Sequence, residues 1–314
     1  MKKITRILFS SALILTAILG AGCATNTVQS SENNSQAEGV RVVQHAGGET
    51  EIKGIPKRIV VLEIALADAL AALDVQAVGI ADDNDPKLVI DEIKNKMGDY
   101  TSVGSRYEVN LEKISSLKPD LILADQNKQN AVLGELNKIA PTVTVDSYNG
   151  GYKESLEAVK IIADAVGKKN EVEGILKNHN EIISKYKEQI PKDEKRTVLP
   201  AVVTKTGFHA HADHSYVGSF LSELGLKDPL KSKDAYNKLS LEQVVEINPD
   251  VMYLMVSDEN TIINEWKANP LWKDIKAVKD NKVFFVSRPK WAISRGLISS
   301  EGIAKDIIET LYKK

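Results

Sequence analysis

One fourteen-residue pattern occurs twice in this chain, and that duplication constrains the fold more than any other feature. It reads first as Leu111-Glu112-Lys113-Ile114-Ser115-Ser116-Leu117-Lys118-Pro119-Asp120-Leu121-Ile122-Leu123-Ala124. It returns as Leu241-Glu242-Gln243-Val244-Val245-Glu246-Ile247-Asn248-Pro249-Asp250-Val251-Met252-Tyr253-Leu254. Each copy predicts a short helix, a stop at Pro-Asp and an apolar strand. Proline cannot continue a helix and pushes the residue before it toward extended geometry. Apolar residues with no polar alternation fit a strand buried on both faces of a parallel sheet. Solenoid repeats recur every ~20–50 residues, far closer than these two. Two similar α/β lobes follow, with the gap between them as the place for a ligand.

A chain of 314 residues suits two domains, and 43% hydrophobic with 27% charged residues lets each build a core. The formal charge is -2; without Lys2, Lys3 and Arg6, Lys+Arg falls from 41 to 38 against 43 acidic residues, giving -5. No basic excess favours a nucleic-acid partner. Residues 1–6 form a positive start and 7–19 an apolar run too short for a comfortable membrane span, so 1–22 reads as an export signal. Cys23, the only cysteine, follows Gly20-Ala21-Gly22 and resembles a bacterial lipobox, although Leu19 stands four residues before it rather than three. That resemblance implies lipidation at Cys23 and anchoring on the extracytoplasmic face of a bacterial cell membrane. Residues 23–39, rich in Ser, Asn, Gln and Glu, read as a flexible tether.

Beyond the tether, apolar strands alternate with helical segments. A hairpin around Ala46-Gly47-Gly48 precedes strands at 58–63, 78–81, 121–124 and 142–145, with helices at 65–73 and 130–139. These make an N-terminal lobe of residues 40–167. Residues 152–189 lack proline and carry apolar positions at helical spacing, broken near Gly167; the second helix, 168–190, is expected to connect the lobes. A C-terminal lobe, 191–314, is expected to have strands at 198–204, 251–254 and 282–286 and helices near 218–224, 261–267 and 299–312. Ligand groups in such sheets gather at the carboxyl ends of the strands.

Together these features resemble the iron-siderophore substrate-binding proteins of ABC importers. Residues 58–63, 67–72 and 79–85, with Trp291-Ala292-Ile293-Ser294-Arg295-Gly296, are especially similar to ferric-citrate-binding members; Ala81-Asp82-Asp83-Asn84-Asp85 is the narrowest match. The resemblance covers nearly all of the chain after the tether. It implies the class III binding-protein fold, two Rossmann-like lobes with mainly parallel sheets joined by one long helix. It also implies a monomeric receptor that is not an enzyme, needs no cofactor, and passes Fe(III) complexed with citrate to permease subunits.

A compact polyanion needs cations aimed into the gap, and arginine can grip a carboxylate through two parallel bonds. Arg106 in Val103-Gly104-Ser105-Arg106 and Arg295 in the Trp-Ala-x-x-Arg-Gly stretch match the family pattern. Position at strand ends adds Lys128, Lys205, Arg288 and Lys290, and Trp291 is a candidate for packing on the ligand. His211 is a candidate donor to a ligand carboxylate. His209, His211 and His214 could instead hold bare Zn²⁺ or Mn²⁺, but the first lobe offers no matching histidine. The family docks on its permease through an acidic residue on each lobe, which implies Asp68 and Glu223. Other ligands stay open: a hydroxamate or catecholate siderophore, haem or cobalamin, although 5% aromatic content favours a small polar ligand. A hydrolase built on Ser215 and His214 is a remote alternative, since no nucleophile elbow, phosphate loop or zinc-helix motif occurs.

Overall fold

The computed structural model describes residues 39–147 and 149–313, so the expected signal, Cys23 and nearly all of the tether lie outside the described residues. Both lobes fall within one compact unit. β1 (Val40–His45) and β2 (Gly48–Lys53) form the expected hairpin. The first lobe then runs β3 (Ile59–Val61), α1 (Ile64–Ala72), β4 (Gly79–Ile80), α2 (Asp91–Met97), β5 (Thr101–Ser102), α3 (Leu111–Ser116), β6 (Leu121–Asp125), α4 (Leu133–Ile139) and β7 (Thr142–Val145). Its sheet is wholly parallel in the order β5-β4-β3-β6-β7, and every residue of β3, β6 and β7 is buried.

Helices α5 (Tyr152–Ala165) and α6 (Val172–Lys187) follow. The second lobe comprises β8 (Val198–Thr204), β9 (Gly207–His211), α7 (Tyr216–Glu223), β10 (Tyr236–Leu239), α8 (Leu241–Ile247), β11 (Val251–Val256), α9 (Ile263–Trp266), α10 (Lys276–Lys279), β12 (Val283–Ser287) and α11 (Leu297–Leu311). Its sheet order is β10-β9-β8-β11-β12. The repeated strands β6 and β11 therefore hold the same place, fourth in order, in the two sheets. The lobes differ at one edge: β9 and β10 are antiparallel, because the tight turn at Thr204-Lys205-Thr206-Gly207 folds the chain straight back.

The Pro-Asp motif has the same task in both copies. Asp120 accepts from the amides of Lys57 and Arg58 at 2.8 Å each, just ahead of β3. Asp250 accepts from the amide and hydroxyl of Thr197 at 2.7 and 2.9 Å, just ahead of β8. Each aspartate thus pins the entrance of the central strand beside its own. The residue before each proline is not extended as expected: Lys118 (φ 46°) and Asn248 (φ 48°) are left-handed. That conformation ends the preceding helix at its carboxyl end, which outweighs the preference imposed by proline.

Three helices join the lobes where one was expected. Tyr152 at the start of α5 packs in the second lobe's core with Tyr216 and Phe220, while Val159 and Ile162 lie in the first lobe's core. α6 runs the opposite way, from Val172 and Leu176 in the first core to Ile183 in the second. α11 enters at Leu297 in the first core and continues through Ile303 and Ile307 in the second. Across this junction the His179 ring bonds the Tyr152 hydroxyl and the Glu301 carboxylate, both at 2.7 Å, linking all three helices. The connecting helix proper is Val172–Lys187, shorter than the expected 168–190, with Gly167 (φ 76°) turning the chain ahead of it. Arg41 of β1 donates to the carbonyls of Asp164 and Ala165, satisfying the last turn of α5.

Candidate ligand-binding site

The carboxyl ends of the parallel strands in both sheets supply one cluster of charged side chains. From β3 comes Glu63, which also starts α1 and is 3% exposed. From the turn after β4 comes Asp83, with Asp83 and Asn84 both left-handed at φ 58° and 56°. The loop after β5 delivers Arg106, and the loop after β6 delivers Lys128. Arg106 donates Nε and Nη2 to Asp83 at 3.1 and 2.6 Å and Nη1 to Glu63 at 3.1 Å. Lys128 Nζ makes an ion pair with the other oxygen of Glu63 and stands 4.8 Å from the Tyr107 ring centroid.

Local bonds hold this lattice rigid. Asp125, fully buried at the end of β6, accepts from the amides of Asn127 and Lys128 and from both amide and hydroxyl of Ser147, which fixes the Lys128 loop to the chain leaving β7. Gln129, also buried, donates to the Arg106 carbonyl and accepts from the Asp125 amide. Burial pushes the Lys128 ammonium below its ordinary pKa, opposed by Glu63 and reinforced by the nearby Arg106 and Arg295. Arg106 is pushed upward: the carboxylates of Asp83 and Glu63 together outweigh a large desolvation cost.

The second lobe brings Arg288, at the end of β12, and Arg295, at the end of the wide helical turn Pro289–Ser294. Arg295 is left-handed at φ 44°; its Nε donates to the Ala292 carbonyl at 2.8 Å and its Nη1 to the Ser147 carbonyl at 3.2 Å. Its guanidinium lies 5.5 Å from the ring centroid of Tyr236 on β10. Tyr236 in turn meets the His211 ring edge-on, with centroids 4.8 Å apart. His211 is driven down to about 3 by burial first and then by Arg295, His209 and Arg288, so its ring is neutral at physiological pH. Arg288 is held below its ordinary value by burial first and then by the positive charge of Arg106 in the other lobe. The His211 Nδ1 and Arg288 Nε are buried without a hydrogen-bond partner among the described residues. A buried donor left without a bond costs about 1–3 kcal/mol, which makes both nitrogens candidates to bond a ligand acceptor.

Five sequence candidates therefore converge: Arg106, Lys128, Arg288, Arg295 and His211. The others lie elsewhere. Lys205 is exposed in the β8–β9 turn, and no ion pair or hydrogen bond joins its side chain to the cluster among the described residues. Trp291 is wholly buried, stacked on Tyr253 at 4.6 Å, with its indole N–H on Asp306 at 2.8 Å. Lys290 bonds that same Asp306 at 3.1 Å. Both anchor the loop to α11 through one carboxylate, and neither is bonded to the charged cluster among the described residues. Asp68 is no exposed docking residue either. It is fully buried on α1 and accepts from the amides of Ile298 and Ser299 at 3.0 and 2.9 Å, capping the start of α11. Glu223 remains at the surface near the end of α7, 3.9 Å from Lys187.

The three histidines do not assemble. His214 is exposed beside Asp213, whereas His211 is buried against Tyr236, and no group of three metal-ligating side chains occurs among the described residues. Sequence reasoning missed Glu63, Asp83, Gln129, Tyr107 and Tyr236. Glu63 satisfied the strand-end criterion that selected Lys128, but that search looked for positive charge alone.

Comparison with known proteins gives this geometry its context. A family profile described as periplasmic binding protein matches residues 59–288. The Fe(3+)-citrate-binding protein YfmC of Bacillus subtilis (strain 168) is 40% identical over 304 residues, covering 97% of this chain and 96% of the relative. The Fe(3+) dicitrate-binding periplasmic protein FecB of Escherichia coli (strain K12) is 36% identical over 271 residues, covering 86% and 90%. Among solved structures, Staphylococcus aureus SirA complexed with staphyloferrin B superposes with a TM-score of 0.74 at 29% identity, covering 86% of this chain and 98% of that one. With the profile spanning most of its length and the YfmC match running almost end to end, the chain belongs to the periplasmic binding protein family.

Proposed function

We propose that this protein is the substrate-binding component of an ABC iron importer. It captures ferric citrate between its lobes and hands it unchanged to the permease. Lipidation of Cys23 would hold it on the extracytoplasmic face of the cell membrane. The observation that carries this reading is the convergence of Arg288, Arg295 and neutral His211 on the Arg106–Lys128 cluster, with two buried donor-capable nitrogens unpaired. Citrate carboxylates would supply acceptors to the Arg288 Nε and the His211 Nδ1, and Fe(III) already held by hard oxygens needs no protein ligand. The relatives named for ferric citrate support this choice of chelate. Glu223 is the candidate docking acid on the second lobe, facing a basic partner.

Calorimetric titration of the leader-free chain tests the reading, with ferric citrate, iron-free citrate, a ferric hydroxamate and Zn²⁺ run in parallel. Saturable heat with ferric citrate, and at most weak heat with the hydroxamate and Zn²⁺, is expected. Preference for the hydroxamate or for Zn²⁺ would overturn it. Calorimetry suits this protein better than tryptophan emission, because Trp266, Trp272 and Trp291 are all packed in the second lobe's interior.

A further inference from the structure

The two halves of the site are electrostatically unlike. In the first lobe Arg106 and Lys128 face Glu63 and Asp83, two cations against two carboxylates. Every guanidinium nitrogen of Arg106 is already bonded to a carboxylate. Glu63 stands where a ligand carboxylate would otherwise stand: buried, with one oxygen on Arg106 and the Ile64 amide and the other on Lys128. In the second lobe Arg288 has no ion pair among the described residues, and its Nε is unpartnered. A carboxylate entering the gap is thus drawn to one lobe and meets a fixed negative charge on the other.

On the reading that the site takes an iron–carboxylate chelate, we infer that Glu63 is a specificity-determining residue, an internal counter-anion that discriminates against iron-free polyanions. Carboxylates coordinated to Fe(III) have given up charge to the metal, so each oxygen they present is less repelled by Glu63 than those of free citrate. Free citrate or inorganic phosphate carries its full charge toward the same oxygens. Such repulsion is a device for rejecting wrong partners rather than for gripping the right one.

The test compares wild-type protein with Glu63→Gln, which keeps the shape and one acceptor while removing the charge. Affinities for ferric citrate, iron-free citrate and inorganic phosphate are measured by calorimetry at fixed ionic strength. The variant should bind citrate and phosphate at least about tenfold more tightly and ferric citrate by a smaller factor, so the ferric-to-free ratio falls. The double variant Glu63→Gln/Lys128→Gln, with charge balance restored, should return the ratio toward wild type. If Glu63→Gln weakens all three ligands equally, or leaves the ratio unchanged, Glu63 merely positions Arg106 and Lys128 and the inference is wrong. Should that variant not fold, Asp83→Asn removes a charge from the same guanidinium at a more exposed place and must move the ratio the same way. A wild-type protein that ignores ferric citrate would defeat the proposed function alone. The citrate and phosphate comparison would still decide the role of Glu63.

Discussion

Gly296→Ala probes the contact that sets Arg295 and the lobe junction together. A Cβ built on Gly296 would lie 2.7 Å from the Asp68 Cβ, with the Asp68 Cγ and Oδ1 nearer still. The backbone of Gly296 is extended (φ −132°), so the penalty is steric and not conformational. Overpacking of this kind costs about 1–3 kcal/mol. If Asp68 swings aside to relieve it, the amides of Ile298 and Ser299 lose their cap, worth about 1 kcal/mol. Together these predict destabilisation of about 2–4 kcal/mol, or a fall in Tm of roughly 5–10 °C for a chain of this size. Arg295, the preceding residue, should shift as well, loosening its bond to Ser147 and weakening ferric citrate binding. Calorimetric melting and titration of the same sample read both effects. Asp68→Ala removes the nearest clashing atoms, so the double variant should cost at least about 1 kcal/mol less than the sum of the single ones. Strict additivity, or a Gly296→Ala protein with wild-type Tm, would refute the clasp.

Arg288→Ala should weaken ferric citrate binding by about 1.5–3 kcal/mol, roughly 10- to 150-fold, with the melting temperature little changed because the side chain makes no ion pair among the described residues and its Nε is unpartnered there. Trp291→Phe should lower Tm through loss of the indole bond to Asp306, yet leave ligand affinity within about twofold; a selective loss of affinity would return Trp291 to the site. Asp68 titrates near 7 in the folded chain, raised by burial against the pull of the Ile298 and Ser299 amides, and near 3.8 when unfolded. The folded state therefore keeps a proton that the unfolded state releases between those values. Stability from this group is full below about pH 3.8 and lost as pH rises toward about 7, so denaturant titrations of wild type and Asp68→Asn should diverge between about pH 3.8 and 7 and run parallel above that. His211 has the opposite sign. Held neutral down to about 3, it contributes above its unfolded value of 6.5 and loses that contribution as pH falls, a slope that His211→Gln should abolish.

The framework was legible because its causes are local and repeated. Pro-Asp after an apolar helix told where β6 and β11 begin, and the duplication told that they occupy equivalent places. The family resemblance selected Arg106 and Arg295, and strand-end logic added Lys128 and Arg288, since loops leaving a parallel sheet at its carboxyl edge face the same gap. What failed was the direction of side chains within those loops. Trp291 and Lys290 sit between Arg288 and Arg295, yet a wide helical turn points them at Asp306 on α11 and leaves the two arginines near Arg106 and Lys128. Nothing in the composition of Ser287–Arg295 distinguishes those directions, because the deciding partner lies fifteen residues on.

Asp68 shows the same limit in another form. On sequence it is a polar position in an Ala- and Leu-rich helix, which reads as the solvent face of an amphipathic element. In the fold, α1 is buried on nearly every side, because the second lobe's α11 covers the face that one lobe alone would leave open. A lobe-by-lobe reading therefore mistakes junction residues for surface residues. The same mistake made the lobes seem to depend on a single helix, when α5, α6 and α11 all cross between the cores. Three crossing helices, tied together by His179, with α11 also capped by Asp68, make a junction that resists large rotation. Selection then has to reside in charges fixed in advance rather than in closure around the ligand. That is the physical reason for a buried Glu63 amid the cations: a stiff site cannot adapt to exclude free citrate, so it carries the exclusion as a charge.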